Sequence, residues 1–140
     1  DTGLPGAGAA GGVGYAAQAV LGAAMRPGVE LVLELMGFEA LCEGASLVVT
    51  GEGSLDRQTL LGKTPAGVAR AAQAHGIPVV AVCGRSLLSA EDVAASGIAQ
   101  VYALTDLEPD PAVCMSDAAR LLRTLSAQVA TDWLIRLGEL

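Results

Sequence analysis

Two acids four residues apart, Glu52 and Asp56, carry the strongest chemical signal in the chain. They sit in residues 45–64, ASLVVTGEGSLDRQTLLGKT. Either can offer oxygen ligands to a hard cation such as Mg²⁺, or accept a proton from a hydroxyl. Ser54 and Thr59 beside them supply hydroxyls suited to helix caps or to ligand bonds. Lys63 can neutralise a phosphate, although its place before a helix also permits plain solvation. An ion pair of either acid with Arg57 or Lys63 is the structural rival to chemistry here. Gly62-Lys63-Thr64 has the look of a P-loop end, but Arg57 stands five residues before Gly62, where that motif needs its first glycine. A Walker A loop is therefore excluded. Nothing in the sequence fixes the carboxylate separation that glycoside hydrolysis would need. A Cys–His nucleophile is weaker still, because the single histidine, His75, falls near a helix end and Cys83 at a strand end.

A second candidate lies in residues 3–14, GLPGAGAAGGVG, half of which are glycine. Such a run can gather backbone N–H groups around an anion at a helix N-terminus, or simply make a tight loop that lets helices pack closely. The GxGxxG pattern fits only loosely, as Gly6, Gly8 and Gly11, and no strand precedes it, so a dinucleotide fingerprint is weak.

These residues must be positioned by regular elements. Leu47-Val48-Val49-Thr50 reads as a short buried strand that delivers Gly51-Glu52-Gly53 as a polar turn at its carboxyl end, where parallel α/β sheets place ligands. Residues 78–83 (PVVAVC) and 100–104 (QVYAL) read as two further strands, the first ending in Gly84-Arg85-Ser86. Helices are predicted over 16–25, 29–36, 38–42 and 65–75. Two more are predicted over 90–95, with Ser89-x-x-Asp92 as a capping box, and over 116–137. In the last helix the buried side is expected to hold Ala119, Leu122, Leu125, Val129 and Trp133, widened by Leu121, Ile135 and Leu137. Alternation of strand and helix from Leu47 onward predicts right-handed crossovers in one parallel sheet with flanking helices in three layers. Three strands behind an all-helical leader are few for such a sheet, a hint that part of the sheet is missing. Residues 1–44 form a glycine-rich loop and helical segment in this division, and residues 45–140 a Rossmann-like α/β segment.

The totals bound the function. With 140 residues, 52% of them hydrophobic and 3% aromatic, the core must be built from Leu, Val, Ile and Ala. A net charge of −7 leaves no basic stripe for nucleic acid. Three widely spaced cysteines and one histidine exclude a Cys/His metal site and suit free buried thiols in a reducing, cytoplasmic setting. No apolar run reaches the roughly 18 residues of a membrane span, and no basic leader precedes one. The chain starts at Asp1 without an initiator Met, as a processed chain or an excised piece would.

Four blocks in order tie the chain to a known family. Residues 6–14 (GAGAAGGVG), 26–34 (RPGVELVLE), 50–59 (TGEGSLDRQT) with Gly62-Lys63, and 78–84 (PVVAVCG) resemble the carboxyl-terminal part of the bacterial glycerate kinases. The resemblance implies an enzyme two to three times this length that transfers the γ-phosphoryl group of ATP to D-glycerate with Mg²⁺, usually giving 2-phosphoglycerate. It implies a site in the cleft between two α/β domains. Gly6, Gly8, Gly11 and Gly12, together with Gly51 and Gly53, would face the nucleotide. Glu52, Asp56 and Lys63 would be catalytic, with Glu52 and Asp56 as metal ligands, and Arg57, Gln58 and Thr59 would bind substrate. Ser54 stands where many members have Arg, and Leu61 where many have His. The amino-terminal portion of such an enzyme is the partner this segment would lack, so the segment alone is expected to be inactive. Self-association stays open. The alternative is a non-catalytic α/β domain that binds a small phosphorylated or nucleotide ligand.

Overall fold

The computed structural model describes residues 6–60 and 64–138. A 3₁₀ turn at Ala9–Gly12 leads into helices α1 (Val13–Leu21), α2 (Gly28–Leu35) and α3 (Phe38–Cys42). Strand β1 (Val48–Leu55), helices α4 (Arg57–Leu60) and α5 (Thr64–Gln73), strand β2 (Val79–Ser86), helix α6 (Ala90–Ser96) and strand β3 (Gln100–Ala103) follow. A 3₁₀ turn at Leu104–Asp106 then passes the chain to α7 (Pro111–Ser116) and α8 (Ala118–Gly138).

The three β-rich runs pair in the order β1-β2-β3, all parallel. Val48 lies opposite Val79, Glu52 opposite Cys83, and Val82 opposite Tyr102. Side chains alternate across a strand, so each run feeds two cores. Val79, Ala81 and Cys83 join Ala69, Ala72 and Ile98 on the face covered by α3, α5 and α6. Val80 and Tyr102 join Leu121, Leu125, Val129 and Trp133 on the face covered by α7 and α8. This is the three-layer, parallel α/β arrangement the strand–helix alternation predicts. Small residues bring the layers close: a Cβ added at Gly67 of α5 would strike Val29 of α2.

Several boundaries differ from the sequence expectation. The polar turn predicted at Gly51-Glu52-Gly53 is strand: β1 continues to Leu55, and β2 likewise runs on through Gly84-Arg85-Ser86. The glycines are the reason. An added Cβ at Gly51 would strike the Val82 carbonyl and one at Gly84 the Gly53 carbonyl, so these strands approach too closely for side chains. The predicted last helix is α8, and a short helix that the sequence reading lacks, α7, precedes it. Asp110 caps α7 through a bond from Ala112 N (2.8 Å) with Pro111 in its first turn, and Asp117 separates α7 from α8. The buried side of α8 is Leu121, Leu125, Val129 and Trp133, narrower than expected, with Ala119, Leu122 and Ile135 exposed. The Ser89–Asp92 capping box is present, with reciprocal bonds of 3.1 and 3.2 Å.

Candidate functional site

At the carboxyl end of β1, Glu52 and Asp56 converge on one residue, Thr59. Alternation turns Glu52 toward the α5 side of the sheet, where the short α4 crosses above it. Asp56 immediately precedes α4, and its Oδ1 accepts backbone N–H bonds from Gln58 (2.8 Å) and Thr59 (3.1 Å). Thr59 Oγ1 in return accepts the Asp56 backbone N–H at 3.1 Å. The exchange is a capping box with Thr in the third position. The same Thr59 hydroxyl donates to Glu52 Oε1. Thr59 is 0% exposed, the single buried polar side chain among the described residues, whereas Glu52 and Asp56 are half-buried. A sealed hydroxyl thus locks the strand acid to the loop acid.

The other sequence candidates are placed as follows. Gln58 is exposed, and its backbone N–H serves the cap. Arg57 is exposed and reaches toward Asp92 of α6 at 3.8 Å, a surface pair worth little in water. Thr59, expected to touch substrate, lies wholly beneath the surface with its hydroxyl engaged inside the chain. Gly51 lies inside the sheet against β2, while a Cβ at Gly53 would meet nothing within 4 Å. Lys63, with Leu61 and Gly62, lies outside the described residues. Across β1 and β2, Arg85 Nε donates to Ser54 Oγ at 3.1 Å, which brings a guanidinium to the strand ends. The role of Asp56 as a cap escaped the sequence reading, although Asp followed three residues later by Thr is its signature.

In the glycine-rich segment, Gly11 and Gly12 have φ of +66° and +97°, a backbone that side chains disfavour, and Gly12 is the N-cap of α1. A Cβ at Gly14 would strike the Gly6 carbonyl, and one at Gly6 the Met25 side chain. Gly8 is exposed with nothing near it. The turn packs chiefly on α1 rather than on β1 or α4.

Among the described residues no three acidic, His or Cys side chains gather as a metal cage. Two carboxylates are what Mg²⁺ ordinarily takes from a protein when substrate phosphates and waters complete its shell, so Glu52 and Asp56 fit that cation. Burial pushes the Cys83 thiol up to about 11, with the Asp106 and Glu52 charges adding to it. All three cysteines are free and buried.

A parallel sheet flanked by helices places the chain among the α/β proteins, a class that binds its ligands beyond the carboxyl ends of the strands. Comparison with known proteins narrows this. A family model described as the glycerate kinase family matches residues 1–134, and the chain belongs to that family. It is 41% identical over 132 residues to a glycerate kinase of Halalkalibacterium halodurans, covering 93% of this chain and 35% of that protein. It is 44% identical over 81 residues to a glycerate 2-kinase of Escherichia coli, covering 58% of this chain and 21% of that protein. A crystal structure described as glycerate kinase 2 from Salmonella typhimurium LT2 superposes with a TM-score of 0.66 at 34% identity, covering 97% of this chain and 33% of that one. The chain therefore spans about a third of the length of these longer relatives.

Proposed function

We propose that the full-length protein carrying this chain transfers the γ-phosphoryl group of ATP to D-glycerate, with 2-phosphoglycerate as product. The observation that carries this reading is the pairing of Glu52 and Asp56 on the buried Thr59 hydroxyl at the carboxyl end of β1. Phosphoryl transfer asks a protein mainly for positioning, charge neutralisation and exclusion of water. Asp56, held by two backbone N–H bonds, orients the glycerate hydroxyl and takes its proton. Glu52 and Asp56 would hold Mg²⁺, which neutralises charge on the phosphates. Lys63 and the backbone of the glycine-rich turn, through Gly6, Gly8, Gly11 and Gly12, contribute to phosphate binding. Arg57, Gln58 and Arg85 offer the glycerate carboxylate its donors. The position of phosphorylation follows the name of the Escherichia coli relative.

Residues 1–44 border the interdomain cleft in this reading, and residues 45–140 form the Rossmann-like part. The remaining walls and positive charge come from the rest of the longer protein, so the 140-residue chain alone is inactive. The setting is cytoplasmic, in keeping with three free buried thiols. No helix among the described residues is long and apolar enough to cross a membrane. The test is D-glycerate-dependent ADP release by the full-length protein. Turnover that is lost in Asp56→Asn supports the reading, and a correctly folded protein with no turnover removes it.

A further inference from the structure

We propose that the buried Thr59 hydroxyl never touches substrate and instead acts as the positioning group for Glu52, tying one carboxylate oxygen so that the other is presented as a ligand atom. It rests on the kinase reading above for the reaction that Glu52 serves. A hydroxyl has one proton to give and two lone pairs to receive with. Thr59 Oγ1 receives the Asp56 backbone N–H at 3.1 Å and gives its proton to Glu52 Oε1. The bonds thus run in one direction, from the loop backbone through the hydroxyl into the strand acid, and neighbours in such a chain strengthen each other. The Thr59 N–H closes the arrangement on Asp56 Oδ1 at 3.1 Å. Both acids are held to one residue that is 0% exposed, so Thr59 stands behind them rather than against a ligand.

Neither packing nor the helix cap asks for the bond to Glu52. Valine matches threonine in shape, and a buried hydroxyl is a cost unless it is bonded. The cap of the four-residue α4 needs the exchange between Asp56 and Thr59 and nothing from β1. What the hydroxyl adds is a hold on a side chain seven residues back in the strand. Glu52 has no other such hold. Among the described residues Thr59 is the one hydrogen-bond partner of its carboxylate, and Oε2 is not engaged. Opposite Glu52 in the register, Cys83 gives its thiol to the Tyr102 carbonyl at 3.7 Å. Two residues on, Ser54 accepts from Arg85 at 3.1 Å. An untied glutamate loses rotamer freedom when it takes a ligand, whereas one fixed beforehand has little left to lose. Carboxylates that ligate cations are themselves commonly hydrogen-bonded from behind.

The experiment compares the full-length protein with its Thr59→Val and Thr59→Ser variants. It reads the thermal midpoint, Mn²⁺ binding with ADP present by electron paramagnetic resonance, and steady-state kinetics with D-glycerate. Mn²⁺ takes the oxygen ligands that Mg²⁺ takes, and ADP supplies the phosphates that complete its shell. In folded Thr59→Val the Mn²⁺ affinity should fall about 10–100-fold and kcat by about tenfold or more, the usual range for a lost partner behind a ligand. The KM for glycerate should stay within about threefold of the parent's, because no substrate contact is lost. Thr59→Ser keeps the hydroxyl and should restore both Mn²⁺ affinity and kcat.

Parent-like Mn²⁺ affinity in the folded Thr59→Val protein overturns the proposal, whatever its thermal midpoint. So does a raised glycerate KM with kcat unchanged, the mark of a substrate contact. A Thr59→Ser protein as impaired as Thr59→Val, or a parent that binds no Mn²⁺ with ADP, overturns it too. Should Thr59→Val fail to fold, Thr59→Ala takes its place, and loss of folding in both assigns the hydroxyl to stability and overturns the positioning role. Turnover separates the two claims: hydroxyl-dependent Mn²⁺ binding in a parent without glycerate turnover keeps the positioning role and loses the kinase reading. Turnover with hydroxyl-indifferent Mn²⁺ binding does the reverse.

Discussion

The leader (residues 6–44) and the sheet unit (residues 48–138) are both rich in apolar side chains, yet they dispose of them differently. In the sheet unit, Leu55, Val79, Val80 and Leu125 are sealed between layers. In the leader, Leu21 and Leu35 are 79% and 78% exposed, and Val20, Met36 and Leu41 are exposed with them. Among the described residues, Cys42 and Phe38, the close approach of Val29 to Gly67 and the exposed Glu30–Arg70 pair at 3.9 Å tie α2 and α3 to the sheet unit. Contiguous apolar surface of this kind is where proteins commonly meet a further partner or ligand. The core thus lies in the sheet unit, and the leader leaves most of its large apolar side chains open, in a chain that spans about a third of its longer relatives.

The sharpest way to break this contrast is to truncate one leucine on each side of it. Leu125→Ala should cost about 2–5 kcal/mol, because the buried site cannot collapse fully, whereas Leu35→Ala should change the stability of this chain by no more than about 0.5 kcal/mol. Equal losses in urea titrations of the 140-residue chain would erase the distinction. Within the sheet, Gly51→Val should destabilise by about 1–3 kcal/mol through its clash with the Val82 carbonyl. Gly53→Val should leave the urea midpoint nearly unchanged. Next comes the buried lock: Thr59→Val strands the Asp56 N–H and a Glu52 oxygen and should cost about 1–2 kcal/mol, most of it recovered in Thr59→Ser. The smallest effect concerns Cys83. Its folded pKa of about 11 lies above the unfolded value near 9, so its contribution is complete below pH 9 and fades as pH rises toward 11. Alkylation of Cys83 at pH 8 should therefore be far slower in the folded chain than in urea, as mass spectrometry would read.

How much was legible in the sequence follows the same division. Short apolar runs with β-branched residues gave the three strands their places, and Ser89 with Asp92 announced a cap that the structure contains. The ends of β1 and β2 were misread because Gly51 and Gly84 have the look of turn residues. Their actual task, close strand approach, depends on a partner strand far along the chain. The buried side of α8 was set too wide: Leu121, Leu125, Val129 and Trp133, four residues apart, face inward, while Ala119, Leu122 and Ile135 lie at its edges and stay exposed. At the site, residue types pointed to Glu52 and Asp56, but Asp56 as a cap and Thr59 as a sealed tie between them emerge only once β1 and α4 are folded against each other.

The central claim is that the acid pair at the end of β1 serves phosphoryl transfer to glycerate. The direct measurement is D-glycerate-dependent ADP release by the full-length protein and its Asp56→Asn variant. Asn caps a helix about as well as Asp, so stability should shift by under about 0.5 kcal/mol. Turnover should fall by roughly a hundredfold or more, as loss of a positioned proton acceptor does. An Asp56→Asn enzyme that turns over glycerate at the parent's rate would contradict the account.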